Sequence, residues 1–246
     1  MQKLKQLYRS TYTGENVITN LTLENAEWAP EVEHVPTRVF NTYTTTQAIV
    51  IGNGESRLDF NLRHIRDHRA GFGGANRLQS YGCNALYRDF TPDFLIASGI
   101  EIVQEIAQSG YTTDNIVYTN ADNLIKYPGK FYLIPQNLYF DAGSLAVYMA
   151  CFDGHKKIFL LGFDGYVNHD AFNTVYKGTN GYPATAEFHN ETFLNNTLAQ
   201  VISTYSDVEF IRVMPTSSWV IPDQLDRLPN FRQIDHRRFV IEADIG

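Results

Sequence analysis

An α/β fold with a mostly parallel sheet covered by helices on both faces is predicted by three observations. Short apolar, β-branched runs alternate with helix-length amphipathic stretches from Gln47 towards the C-terminus. The first of these runs, Gln47-Ala-Ile-Val-Ile, breaks into Gly52-Asn-Gly-Glu-Ser-Arg57, as a buried strand does when it delivers its carboxyl end to a turn. A chain of 246 residues, 43% hydrophobic and 19% charged, has ample material for one large core.

Residues 1–46 are polar and rich in Thr and Asn, and Trp28-Ala-Pro30 and His34-Val-Pro36 are expected to interrupt any regular pattern. They read as an N-terminal arm or small hairpin lying on the main domain or on a neighbouring subunit. Residues 47–246 read as a single nucleotide-binding domain of Rossmann-like type. Strands are expected near 47–51, 78–82, 93–97, 115–119, 131–134, 157–161 and 208–213, with helices near 59–68, 100–109, 142–153 and 190–204. The segment 168–188 has Gly178, Gly181 and Pro183 and little apolar periodicity, so it is expected to be a lid that orders over a bound ligand.

The formal charge of −7 lacks the basic footprint needed to neutralise phosphates along a nucleic acid, so no nucleic-acid partner is expected. Cys83 and Cys151 stand far apart with no C-x-x-C spacing, which points to a reducing, cytoplasmic compartment. No apolar leader core and no run of 18 apolar residues is present, so no transmembrane segment is expected. His64 and His68 share a helix face, but Arg63, Arg66 and Arg69 make that face basic and solvated, and no metal is expected there.

The turn after the first strand carries the chemistry. Glycines let backbone N–H groups approach a ligand closely, so residues 52–56 are expected to receive a phosphate-sized anion. A tight strand-to-helix turn with no ligand is the alternative. A dinucleotide fingerprint would need a third glycine where Arg57 stands and an acidic residue after the second strand, where the chain has Cys83-Asn84. NAD is therefore disfavoured. A Walker lysine, a Gly-x-Ser-x-Gly elbow and an Asp-x-Asp dyad are all missing from the sequence. In a parallel sheet ligands gather at the carboxyl ends of the strands, which nominates the loops at 52–56, 82–84, 98–99, 119–120 and 162–166.

A second marker spans residues 140–166: Phe-Asp-Ala-Gly143 opening a helix, a turn at Asp153-Gly154, a buried strand, and then Gly162-Phe-Asp164-Gly-Tyr166. Together with Ile51-Gly-Asn-Gly-x-Ser56 and Cys83-Asn84, it resembles the bacterial sialyltransferases of glycosyltransferase family 42. Part of the pattern is shared with a wider nucleotide-binding group that includes the hydroxymethylpterin pyrophosphokinases. The resemblance spans roughly residues 47–220 and is carried by these motifs alone.

The resemblance implies a metal-independent glycosyltransferase that moves a sialic-acid-like sugar from a CMP-activated donor to a glycan hydroxyl. The nucleotide sugar is a substrate, and no cofactor is implied. It implies that Gly52, Asn53, Gly54, Ser56, Asn84, Gly143 and Asp164 form the donor site. Tyr166 would face the departing phosphate and His189 would be the general base. Tyr176 or Tyr182 would stand in for a second phosphate-facing tyrosine, and an oligomer is implied. The chain differs from the family at Glu55, where proline is usual, and at Asp141-Ala142, where small hydroxyl residues are usual. The chemistry is sound on first principles, because a sugar hydroxyl is a poor nucleophile and a placed imidazole accelerates its attack by about 10²–10⁴. Two alternatives remain: a pyrophosphokinase-like transfer using ATP and magnesium, with Asp141 and Asp164 as metal ligands, and a nucleotide-binding protein without catalysis.

Overall fold

A computed structural model of the chain describes residues 3–9, 15–24, 27–36, 47–68, 78–135, 138–165, 173–184 and 191–246, the first three stretches and residues 67, 68 and 191 as backbone alone. The first 46 residues contain strands β1 (Lys3–Arg9), β2 (Glu15–Glu24) and β3 (Glu27–Pro36) in an antiparallel meander of order β1-β2-β3. The prolines expected to interrupt regular structure lie inside β3. This strand pairs with β2 alone, and on an edge strand a missing N–H need not break a ladder bond. Pro30 and Pro36 are an even number of residues apart and so share one side of the strand.

The remaining strands form one parallel sheet: β4 (Gln47–Ile51), β5 (Gln79–Cys83), β6 (Phe94–Ile96), β7 (Ile116–Thr119), β8 (Tyr132–Leu133), β9 (Lys157–Leu161), β10 (Glu209–Met214) and β11 (Phe231–Asp235). Their spatial order is β11-β10-β9-β4-β5-β6-β7-β8. The chain winds outward from β4 to β8, crosses back to the other side of β4, and winds outward again. This is the doubly wound, Rossmann-like arrangement. No described helix is long and apolar enough to cross a membrane.

Alternation along the strands builds a core on each face. Ile49 and Ile51 of β4 point with Phe159 and Leu161 towards α1 (Arg63–His68), α2 (Ile100–Ser109) and α7 (His236–Glu242). Ala48 and Val50 point with Ile158 and Leu160 towards α4 (Ala142–Phe152) and α5 (Glu191–Thr204). Helix α4 has no charged residue and is buried from Ala142 to Cys151 except at Gly143, as a helix apolar on all sides must be. The short helices α3 (Ala121–Lys126) and α6 (Asp223–Asp226) complete the layers.

The two halves of the sheet are joined where β4 and β9 end side by side. The N–H of Gly52 donates to Leu161 O at 2.7 Å, and that of Gly54 donates to Gly162 O at 3.0 Å. A Cβ on Gly52 would collide with the carbonyl of Gly162, and a Cβ on Gly162 would come within 2.8 Å of Gly52 O. Gly162 also adopts φ +75°, which disfavours any other residue. Gly110, the left-handed residue that ends α2 at φ +77°, meets nothing within 4 Å and isolates the conformational part of the effect. Gly110→Ala is expected to lose about 1 kcal/mol and Gly162→Ala about 2–4 kcal/mol in urea unfolding. Equal losses would show that the loop crossing adds nothing.

Candidate functional site

The crevice between β4 and β9, at the carboxyl edge of the sheet, is the point where the strand order reverses and where open α/β sheets bind ligands. A pocket of about 350 Å³ occupies it, within the range of small-molecule sites. Gly52, Asn53, Gly54, Asn84, Gly143 and Asp164 line it together, although they come from four loops of the sequence. Ser56 lies just behind, bonded to Asp164. Tyr166 and His189, expected as leaving-group stabiliser and base, fall outside the described residues, as do 168–172 and 185–188 of the expected lid.

Three N–H groups of the glycine turn are engaged within the protein. Those of Gly52 and Gly54 are used in the loop crossing, and that of Ser56 donates to Asp164 Oδ2 at 3.0 Å. The hydroxyl of Ser56 donates to Oδ1, and Asn173 Nδ2 donates to Oδ2 at 2.7 Å. A Cβ on Gly54 would overlap the carboxylate, so the second glycine makes room for Asp164. Burial pushes the Asp164 carboxyl above its ordinary value, opposed first by the Ser56 bonds and then by the Arg212 charge.

Arg212 on β10 fixes the loop that carries Asp164. It is fully buried and donates to the carbonyls of Phe163 at 2.7 Å, Asp164, and Val220 at 2.9 Å, and to Gln233 Oε1 at 3.0 Å. Burial lowers its guanidinium to about 10, against the nearby Asp164, so it is charged at neutral pH. Nothing in the sequence flagged it, because an arginine alternating within Glu-Phe-Ile-Arg-Val-Met reads as a solvent-facing position.

The opposite wall begins at the end of β5. Asn84 holds φ +46°, a conformation asparagine tolerates, and its Oδ1 accepts the N–H of Ser98 at 3.1 Å, tying the β5 and β6 loops together. Asn53 donates to Cys83 O at 3.2 Å and to the Tyr182 hydroxyl at 2.9 Å. Burial pushes both the Cys83 thiol and the Tyr182 hydroxyl up to about 12, so both wall groups are neutral. Asp141 caps α4, accepting the N–H of Ser144 at 3.0 Å, its hydroxyl at 2.6 Å, and Thr197 Oγ1 of α5 at 2.7 Å. A Cβ on Gly143 would approach the Asp141 carboxylate to 3.0 Å and the Phe163 ring to 3.3 Å, so the glycine is needed for packing.

Residues 173–184, the described part of the expected lid, are already docked. Val175 N–H donates to Asn53 O at 2.9 Å, and the Tyr176 hydroxyl accepts from Arg57 at 2.8 Å and donates to Asp89. Of the two tyrosines considered for the pocket, Tyr182 lines it and Tyr176 does not. Arg57, where a dinucleotide turn would have glycine, is 3% exposed and paired with Asp89 at 3.1 Å. Arg88 clasps Glu105 and donates to Thr179 at 2.7 Å and to Asn180 O at 3.0 Å. Asn180 donates to the same Glu105 at 2.6 Å.

The C-terminal run Asp235-His-Arg-Arg238 starts α7, with Asp235 accepting the N–H of Arg238 at 2.8 Å. Among the described residues no group of three or more His, Cys, Asp or Glu could hold a metal ion.

Arg88 first, then the hydroxyl of Tyr87 and the amide of Asn180, hold the Glu105 carboxyl down at about 2. A carboxyl depressed in the folded state adds stability above its unfolded value near 4.5, and this is lost as pH falls towards 2. Glu105→Gln is therefore expected to cost about 1–2 kcal/mol at pH 7 and to flatten the acid limb of the stability curve between those values. Urea melts at pH 7 and pH 3 measure both effects, and an unchanged acid limb would remove Glu105 as the clamp of this segment. Compared with protein families, curated proteins and solved structures, the chain matches none.

Proposed function

We propose that this pocket binds a CMP-linked, sialic-acid-like sugar and that the chain transfers the sugar to a glycan hydroxyl without a metal. The observation that carries the reading is the convergence of the three motifs, the glycine turn, Cys83-Asn84 and Gly143, on one pocket at the sheet's switch point. Asn53, Asn84 and Tyr182 supply neutral polar groups for a base and a ribose. The amino end of α2 has no side-chain cap and opens at Ser98 and Gly99, which also line the pocket. Its N–H groups suit one phosphate.

In the transfer, an acceptor oxygen attacks the anomeric carbon, the bond from that carbon to the phosphate oxygen breaks, and CMP leaves with the electron pair. His189 takes the acceptor proton and Tyr166 donates a hydrogen bond to the leaving phosphate. Both assignments rest on the resemblance. The reading with ATP and magnesium is less well served. The oxygens of Asp141 and Asp164 already accept bonds from Ser144, Thr197, Ser56 and Asn173, and a magnesium ion would have to displace those donors.

A thermal-shift panel of CMP, CDP, UDP, ATP and NAD, with and without magnesium, tests binding, since a ligand of the folded state raises the melting temperature. CMP is expected to stabilise the chain without metal, and a response to ATP and magnesium alone would overturn the reading. His189→Ala is expected to keep CMP binding and to lose about 10²-fold or more in transfer from a CMP-sugar.

A further inference from the structure

We infer that Asp164 is a specificity-determining residue: its carboxylate fills the anion cradle of the glycine turn from within and restricts the pocket to ligands with no more than one phosphate. Four observations carry this. The turn has the order of elements found at anion sites, a strand ending in Gly-x-Gly at the switch point followed by the 3-10 turn Glu55–Arg57. The N–H of Ser56, in that turn, donates to the Asp164 carboxylate, and the Ser56 hydroxyl joins it. Gly54 supplies the space in which the carboxylate sits. Asp164 also lines the pocket, so its charge faces any ligand there.

The other charged side chain on the pocket wall is Asp141, and no lysine, arginine or histidine is among the lining residues described. A phosphate entering the turn would have to displace one carboxylate while facing another, with no cation among the described lining residues to offset the repulsion. The Arg212 guanidinium offers an entering phosphate no hydrogen bond, because its nitrogens donate to carbonyls and to Gln233 behind the loop, and its charge already faces that of Asp164. The consequence for the donor rests on the CMP-sugar reading: its single phosphate lies away from the glycine turn, and a nucleoside di- or triphosphate is repelled.

Inorganic phosphate and pyrophosphate test the cradle without reference to any nucleotide. Neither is expected to stabilise the wild type in thermal-shift or calorimetric titration, whereas Asp164→Asn and Asp164→Ser are expected to bind both at least ~10-fold more tightly. For cytidine nucleotides the wild type is expected to prefer CMP over CDP and CTP by about 10-fold or more, and the variants to lose that preference. The wild-type series needs no variant and stands even if a substitution impairs folding. Equal wild-type affinity for CMP and CTP overturns the inference. So do variants that fold, gain no phosphate binding and keep the wild-type ratio, the result expected of a purely structural staple. Phosphate binding gained by Asp164→Asn in a protein that binds no CMP would uphold the cradle and reject the CMP reading.

Discussion

The site depends on the crossing of two backbone loops at the ends of β4 and β9. Parallel strands paired at this point bring the following loops into collision unless both are free of side chains, and Gly52 and Gly162 meet that condition together. Two bonds from the 52–54 turn to the carbonyls of Leu161 and Gly162 then set the relative position of the two halves of the domain. Arg212 and Asp164 extend the joint in opposite directions. The arginine holds the far side of the loop from beneath, through carbonyls that would otherwise be buried without donors, and the carboxylate holds the near side by capping the 55–57 turn. A buried arginine that donates to three carbonyls acts here as a connector, and removing it would leave those carbonyls unsatisfied in the core.

From this joint the remaining walls follow in sequence. Asn53 lies between the two glycines, and through Cys83 O and Tyr182 it ties the turn to the β5 loop and to residues 173–184. Asn84 carries the connection to the β6 loop, and Asp141 carries it to α5 through Thr197. Each wall is therefore fixed by a side chain of a neighbouring wall, which is how a site made of loops becomes rigid. Residues 173–184 belong to this scheme because Arg57, Asp89, Arg88 and Glu105 hold them from outside the pocket while Tyr182 enters it.

Much of the fold was legible in the sequence. All seven strands expected from residue 47 onward are present within a few residues, most clearly where central strands such as β4, β6 and β9 are runs of apolar residues. The eighth, β11, was missed for the complementary reason. It is an edge strand, Phe-Arg-Gln-Ile-Asp, in which Ile234 is the buried side chain and Arg232 pairs with Glu209 and Glu242, so its composition is that of a polar tail. The loops of the site were legible by position but not by role. Gly-x-Gly marks a close approach, and the sequence cannot say whether the approaching group is a phosphate or the chain itself. Asp164 was named as a donor contact on resemblance, and its bonds to Ser56 join loops that are distant in sequence. Asp141, which resembles a departure from the expected hydroxyls, is the cap of α4.

The electrostatics of the pocket follow from the same economy. The chain has a net charge of −7 and, among the described residues, both charged groups on the pocket wall are carboxylates, so the described wall offers an anion no long-range attraction. Both carboxylates are nevertheless saturated, one by the start of α4 with Thr197, the other by the glycine turn with Asn173, and their charge is partly met by the N–H groups that point at them. The rest of the wall is neutral: Asn53, Asn84, Ser98, a thiol and a phenol held protonated by burial, and Leu194, Leu198 and Leu225. Such a surface offers shape and neutral hydrogen bonds rather than positive charge, and this is the property on which the proposed CMP-sugar reading draws. The glycine turn, which in a sequence reads as the feature that grips a ligand, is here the joint of the scaffold, and the ring of neutral polar groups around the pocket is held in place by it.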